Sequence, residues 1–205
     1  RIPVYPVGLE ETKGNFIVLE KDTTLKMSFD STLGKVSLYA RAGLINVLDD
    51  EINHLISYRY SCNEQLASKL KALLSKKIIA ENMRIEFKDD REVEKILGLL
   101  LKNQKENGLW GWWKNSNKSY WISLHVLEAL SQARQMGFTV KMNEAQMTEN
   151  LIWELETNKD FSTKSRILMI LRLFGSKINL STYIKDLERI KNLSLNNYLQ
   201  LLELK

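Results

Sequence analysis

Cysteine and histidine are nearly absent from this chain. Its 205 residues hold one cysteine, Cys62, and two histidines, His54 and His125. A lone cysteine excludes an intramolecular disulfide framework but leaves the redox compartment open. With no Cys-His-Asp pattern in local context, a catalytic triad has no support. There are two prolines, Pro3 and Pro6, both ahead of the helical part of the chain. No apolar run is long enough to cross a bilayer as a helix. Charge of one sign is not concentrated: the net charge is +5, and the lysines are spread along helical segments near acids, the pattern of a solvated face. Without a basic patch interleaved with aromatics, nucleic acid is not an expected partner. The chain opens at Arg1 with no initiator methionine and no signal peptide, so a processed or excised piece of a longer protein is expected.

What is present suffices for a sizeable core, since 44% of the residues are hydrophobic. The pattern changes near residue 42. Before it, alternating runs at 16–19, 25–29 and 35–39, separated by Gly8, Gly14, Lys21-Asp22 and Gly34, predict a few antiparallel β-strands. So few strands hardly close a sandwich alone, so residues 1–41 are expected to be a β segment of a flanking domain. From residue 42 to 205 the periodicity predicts helices near 43–57, 62–80, 91–105, 120–136, 143–157, 163–174, 180–191 and 194–203. Asp89-Asp90, Asn143 and Ser162 are the expected caps of three of them. The fold class is therefore mainly α. Helical hairpins of similar length around a centre suggest an α/α toroid, complete or partial.

The densest chemical signal is Tyr58-Arg59-Tyr60-Ser61-Cys62-Asn63-Glu64-Gln65. Positions i and i+3 of a helix share a face, so the Cys62 thiol and the Gln65 carboxamide can meet. A thiol that displaces the amide nitrogen closes an internal thioester, a stored acylating group that needs no cofactor. Ser61 and Glu64 form an S-x-x-E capping box, with Ser61 expected as N-cap and Cys62 as the first helical residue. Leu66, Leu70, Leu73, Leu74 and Ile78 follow at helical spacing. Tyr58 and Tyr60 supply aromatic bulk that could exclude water from such a bond. On spacing alone, the reading of Cys62 as an ordinary buried cysteine at a capped helix start is the favoured one.

The segment YRYSCNEQLASKLKALL resembles the thioester region of bacterial alpha-2-macroglobulins, where Y-x-Y-G-C-x-E-Q precedes a helix. Upstream, IPVYPVGLEETKGNFIVLEKDTTLKMSFD and GKVSLYARAGLINVLDDEINHLI resemble the family's strands and first helix. Downstream, NGLWGWWKNSNKSYWISLHVLEALSQARQMGF resembles the glycine-tryptophan loop and helix of the family's toroid. The likeness runs to the neighbourhood of Phe138. It implies that Cys62 and Gln65 are thioester partners, supported by Ser61, Glu64, Tyr58 and Tyr60. Ser61 stands where the family has glycine. Complement-type relatives pass the acyl group through a downstream histidine. His54 and His125 do not match it and read as histidines packed in or beside core helices. The resemblance then implies direct attack on the thioester by lysine amines of a target protease. The implied protein is a periplasmic or cell-surface protease trap used once rather than a turnover enzyme, its other domains lying elsewhere in the full chain.

Two further features invite weighing. In Gly108-Leu109-Trp110-Gly111-Trp112-Trp113, the tryptophans Trp110, Trp112 and Trp113 could shield a reactive bond, or they plug the toroid and staple the Tyr120 helix. Asp49-Asp50-Glu51 with Asn53 resembles half of a magnesium-diphosphate site, but no second acidic cluster matches it, so a solvated helix face is expected and no metal. The rival functions are a non-covalent interaction scaffold and an α/α-toroid enzyme acting on an isoprenoid or a glycan.

Overall fold

The computed structural model describes residues 17–28, 30, 32, 34–39 and 44–205. The chain divides into two compact units, Arg1–Ala40 and Arg41–Lys205. In the first unit no described residue lies in a strand, so the strands expected over 16–19, 25–29 and 35–39 are not seen there. Phe16 and Phe29, with Gly8 and Gly14, fall outside the described residues. Ile17, Val18, Leu38 and Tyr39 are exposed. An alternating pattern sets strand register only when one of its faces is buried, and the described residues of these runs are exposed.

The second unit is helical: α1 (Leu44–Ser57), α2 (Asn63–Met83), α3 (Asp90–Lys102), α4 (Tyr120–Gln135), α5 (Glu144–Thr157), α6 (Phe161–Leu173), α7 (Leu180–Glu188) and α8 (Leu195–Leu204). All eight expected helices are present, and the caps explain where their ends moved. Asp160, not Ser162, caps α6, its carboxylate accepting the Thr163 N–H at 2.7 Å. Asn143 caps α5 through the Gln146 N–H. Asp89 precedes α3 without a side-chain cap bond, because the two acids there are drawn to α2: Asp89 pairs with Lys76 at 3.0 Å and Asp90 with Lys77 at 2.7 Å.

The packing separates the helices into two layers. α2, α4, α6 and α8 pack in succession to form an inner row, while α1 and α3 flank α2, and α5 and α7 flank α6. No comparable contact joins α8 back to α2, so the row is an open arc of an α/α toroid. Residue patterns follow from this placement. An outer helix needs one apolar stripe: α3 buries Val93, Ile96, Leu97 and Leu100, and α5 buries Met147, Leu151 and Leu155. An inner helix is enclosed on several sides: α4 buries nine of its residues, including Leu124, Val126, Leu127 and Leu130 in immediate succession around the axis. Each fully buried leucine contributes about 1.5–3 kcal/mol from the apolar surface it removes from water.

The loop between α3 and α4 threads this core. Gly108 adopts φ 77°, a left-handed conformation that favours glycine, and a Cβ there would overlap the backbone of Met147 in α5. Gly98, by contrast, is exposed in the middle of α3 with open space where a Cβ would sit. Two alanine substitutions should therefore act in opposite directions. Gly108→Ala is expected to destabilise the fold by more than about 2 kcal/mol. Gly98→Ala is expected to stabilise it by about 0.5–1 kcal/mol. Midpoints of urea denaturation check both signs.

Candidate functional site

The helix carrying the cysteine begins one residue later than its sequence suggests. Cys62 is the N-cap of α2, extended at φ −68° and ψ 164°, and Asn63 is the first helical residue. The capping box is made by Cys62 and Gln65, not by Ser61 and Glu64. The Gln65 backbone N–H donates to the Cys62 sulfur, and the Cys62 backbone N–H donates to Gln65 Oε1 at 3.2 Å. Ser61 is exposed outside the helix. The first free N–H of the helix, that of Asn63, is satisfied from outside by the Trp112 carbonyl at 2.9 Å. Cys62 is 3% exposed, and each of the two side chains that the motif pairs accepts a hydrogen bond from the other residue's backbone N–H.

Asn63 anchors this arrangement and has no warning in the sequence. It is fully buried; its Nδ2 donates to the Gly111 carbonyl at 2.8 Å and its Oδ1 accepts from Asn103 Nδ2 at 2.8 Å. Gly111 is required for this approach, since a Cβ there would collide with the Asn117 carbonyl and Ser116 Oγ. Its neighbour Trp110 is wholly buried, its indole donating to the Leu100 carbonyl at 2.7 Å. Ser123 Oγ on α4 accepts the Trp110 N–H at 2.9 Å and donates to its carbonyl at 3.0 Å. Trp110 thus staples α3 to α4, while Trp112 and Trp113 are half exposed.

The aromatic cover differs from expectation. Tyr58 and Tyr60 are exposed and tilt against each other, with ring centroids 5.5 Å apart. They lie in the irregular link between α1 and α2, where the Tyr58 carbonyl is held by Lys69 Nζ, so the rings face away from a core. The aromatic surface near the start of α2 comes instead from Trp112, tilted against Trp121 at 5.7 Å, and Trp121, stacked on His125 at 6.1 Å and 4°.

His125 joins a polar chain that spans the inner row. Lys71 Nζ lies 2.8 Å from Glu128 Oε2 and 3.2 Å from His125 Nδ1. An ammonium only donates, so Nδ1 accepts and Nε2 carries the ring proton. Nε2 then donates to Ser68 Oγ at 3.0 Å, and Ser68 donates to Glu64 Oε1 at 3.0 Å. On α6, Arg166 binds Glu128 Oε1 through Nε and Nη2 at 3.0 and 2.7 Å. Burial, and then the neighbouring Lys71 charge, hold the His125 pKa below its ordinary value, outweighing Glu128 and Glu64. Burial pushes the Glu128 carboxyl up, but hydrogen bonds and charge from Lys71 and Arg166 win, and its pKa falls below the usual carboxylate range. The signal for this chain was visible only as polar residues at helical spacing, Glu64, Ser68 and Lys71 on α2 with His125 and Glu128 on α4. His54 is exposed, and in the acidic face of α1 Asn53 bonds Asp49 at 3.0 Å and Lys76 at 3.3 Å.

Two outcomes follow. Asn63→Ala strands the Gly111 carbonyl and the Asn103 amide in the interior and should cost about 1–3 kcal/mol in urea denaturation. The His125 shift implies that the unfolded chain takes up this proton first as pH falls. Its stabilisation is full above about pH 6.5, the ordinary histidine value, and is lost as pH drops below it toward the lower folded value. The urea midpoint of the native chain should decline in that window, and His125→Gln should flatten the decline. The Glu128 contribution, lost only as pH falls below the carboxylate range, should persist in that variant.

No protein-family model matches the chain. An alpha-2-macroglobulin of Escherichia coli strain K12 is 30% identical over 95 residues, covering 43% of this chain and 6% of the relative. One from Thermotoga maritima is 22% identical over 141 residues, covering 68% of this chain and 9% of the relative. The chain thus spans less than a tenth of the curated relatives it matches. Among solved structures, native alpha-2-macroglobulin from Escherichia coli, spanning domain MG7 to the C-terminus, shares the fold with a TM-score of 0.60. That match has 24% identity and covers 75% of this chain and 27% of the other. The helical arc and these likenesses agree in supporting the bacterial alpha-2-macroglobulin family for this chain.

Proposed function

We propose that the helical unit carries an internal thioester between Cys62 Sγ and Gln65 Cδ and serves as the covalent arm of a protease trap. The observation that supports this reading is the capping box at the start of α2, in which the buried Cys62 sulfur accepts the Gln65 backbone N–H while the Gln65 carboxamide that would acylate it accepts the Cys62 backbone N–H. In the closing step the thiol sulfur bonds to Gln65 Cδ, the C–N bond breaks, and the amide nitrogen leaves as ammonia with the thiol proton. The Cys62 backbone N–H, already on Oε1, is placed to stabilise the negative charge that builds on that oxygen. In the trapping step an amine attacks Cδ and the C–S bond breaks. Gln65 is left as an amide cross-link, and the sulfur recovers a proton from the amine.

The resemblance to the family supplies the remaining context. The attacking amine is a lysine of a protease that has cut elsewhere in the longer protein, and the event happens once, without cofactor or turnover. The same resemblance implies a periplasmic or cell-surface location. Among the described residues no helix is long and apolar enough to cross a membrane. Because Tyr58 and Tyr60 are exposed, the water-excluding cover is assigned to other domains of the full chain. A toroid enzyme fits less well, since Glu128, the carboxylate bridging α4 and α6, is fully engaged by Lys71 and Arg166.

Intact-protein mass tests the bond directly. The loaded chain should be lighter by one ammonia, resist thiol alkylation until methylamine is added, and lose both traits as Cys62→Ala. A freely alkylatable thiol at unshifted mass, in this chain and in the full-length protein alike, would leave only the non-covalent scaffold.

A further inference from the structure

We propose that Trp112, Trp121 and Glu64 form a subsite for a primary alkylammonium group, the head of a lysine side chain, beside the acyl bond of Gln65. The inference deepens the thioester reading by naming what selects the nucleophile.

Three observations converge on it. Among the described residues no lysine or arginine pairs with the Glu64 carboxylate. Its recorded partners are the Ser68 hydroxyl at 3.0 Å and His125 Nε2 at 4.0 Å, whereas Glu128, one helix away, holds both Lys71 and Arg166. Burial keeps His125 neutral at neutral pH, so the charge at this edge stays negative. The groups facing the ring are Glu64 and Lys71 on α2, Glu128 on α4 and Arg166 on α6. Ser68 occupies one oxygen of Glu64, and an ionised carboxylate has capacity for further donors.

The second observation is the aromatic shelf leading to that carboxylate. Trp112 and Trp121 are 49% and 50% exposed, and their row continues through the stacked His125 ring to Glu64. An ammonium is attracted to the faces of such rings. The third is that this protein already uses the same recognition elsewhere: Lys118 Nζ sits 5.1 Å from the Tyr120 ring centroid and 5.6 Å from that of Trp153. Among the described residues no lysine or arginine occupies Trp112 or Trp121, so that shelf is open to an external one. Its position follows from the hydrogen bond between the Trp112 carbonyl and Asn63, which keeps the shelf against the residue between Cys62 and Glu64.

The test needs no thioester. The 205-residue chain is titrated with n-butylammonium chloride, with n-butanol and sodium chloride as controls, while the indole N–H signals of the five tryptophans are followed by NMR. Trp112 and Trp121 should shift with the ammonium and not with the alcohol, and Glu64→Gln should weaken the apparent affinity roughly tenfold. Equal shifts with n-butanol, or a titration unchanged in Glu64→Gln or in Trp121→Leu, would overturn the subsite. The outcome is separable from that of the parent reading. A chain lighter by one ammonia with no ammonium response sinks only the subsite. Ammonium binding with an unshifted mass in this chain and in the full-length protein sinks only the thioester.

Discussion

One buried carboxamide holds the start of α2 in place. Asn63 is packed out of solvent with both polar ends of its side chain engaged, and its backbone N–H is bound to the Trp112 carbonyl. An unpaired amide in that position would carry the full desolvation penalty, so its partners are effectively fixed together. Through Asn63 the start of α2 is tied to the glycine-tryptophan loop, and through Asn103 to the end of α3. The extended Cys62, the first turn of the helix and the Trp112 ring therefore behave as one unit. The position of the sulfur is set by a side chain that takes no part in its chemistry.

Around this anchor the arc follows a simple division. Outer helices bury a single apolar stripe, while the inner helices α2, α4 and α6 bury a broader face. The exception is the polar seam from Glu64 through Ser68, His125 and Lys71 to Glu128 and Arg166. Such groups are tolerated in an inner row only because each donor meets an acceptor. The seam fixes the histidine tautomer and leaves Glu64 at its open end, one residue from Gln65.

The proposed chemistry asks little of the protein beyond this geometry. An acyl bond formed within one helical turn requires no metal or coenzyme, only a nucleophile, a carbonyl and a donor aimed at its oxygen. All three lie in the capping box of α2. The box serves first as a helix start, satisfying N–H groups that would otherwise lack partners. A local folding device and a reactive pair thus occupy the same few atoms.

Much of this was legible from residue order alone. Eight helices are written in the apolar spacing, and the closeness of Cys62 and Gln65 follows from their spacing at a helix start, although as a capping box rather than as a shared helix face. Glycine at 108 and 111 marks a tight loop. The rest depended on partners distant in the chain. The first free N–H of α2, at Asn63, finds its partner in the Trp112 carbonyl, beyond α3 in the chain. Trp110 is core while Trp112 and Trp113 meet solvent, although all three sit in one short motif, because only the first points between α3 and α4. Tyr58 and Tyr60 flank the cysteine in sequence yet cover nothing in the described unit, whereas Trp121 and His125 come to the site from another helix. Periodicity along a chain determines which local structure forms. Which side chains meet across it is decided by packing, since burial and hydrogen-bond satisfaction are properties of the assembled helices.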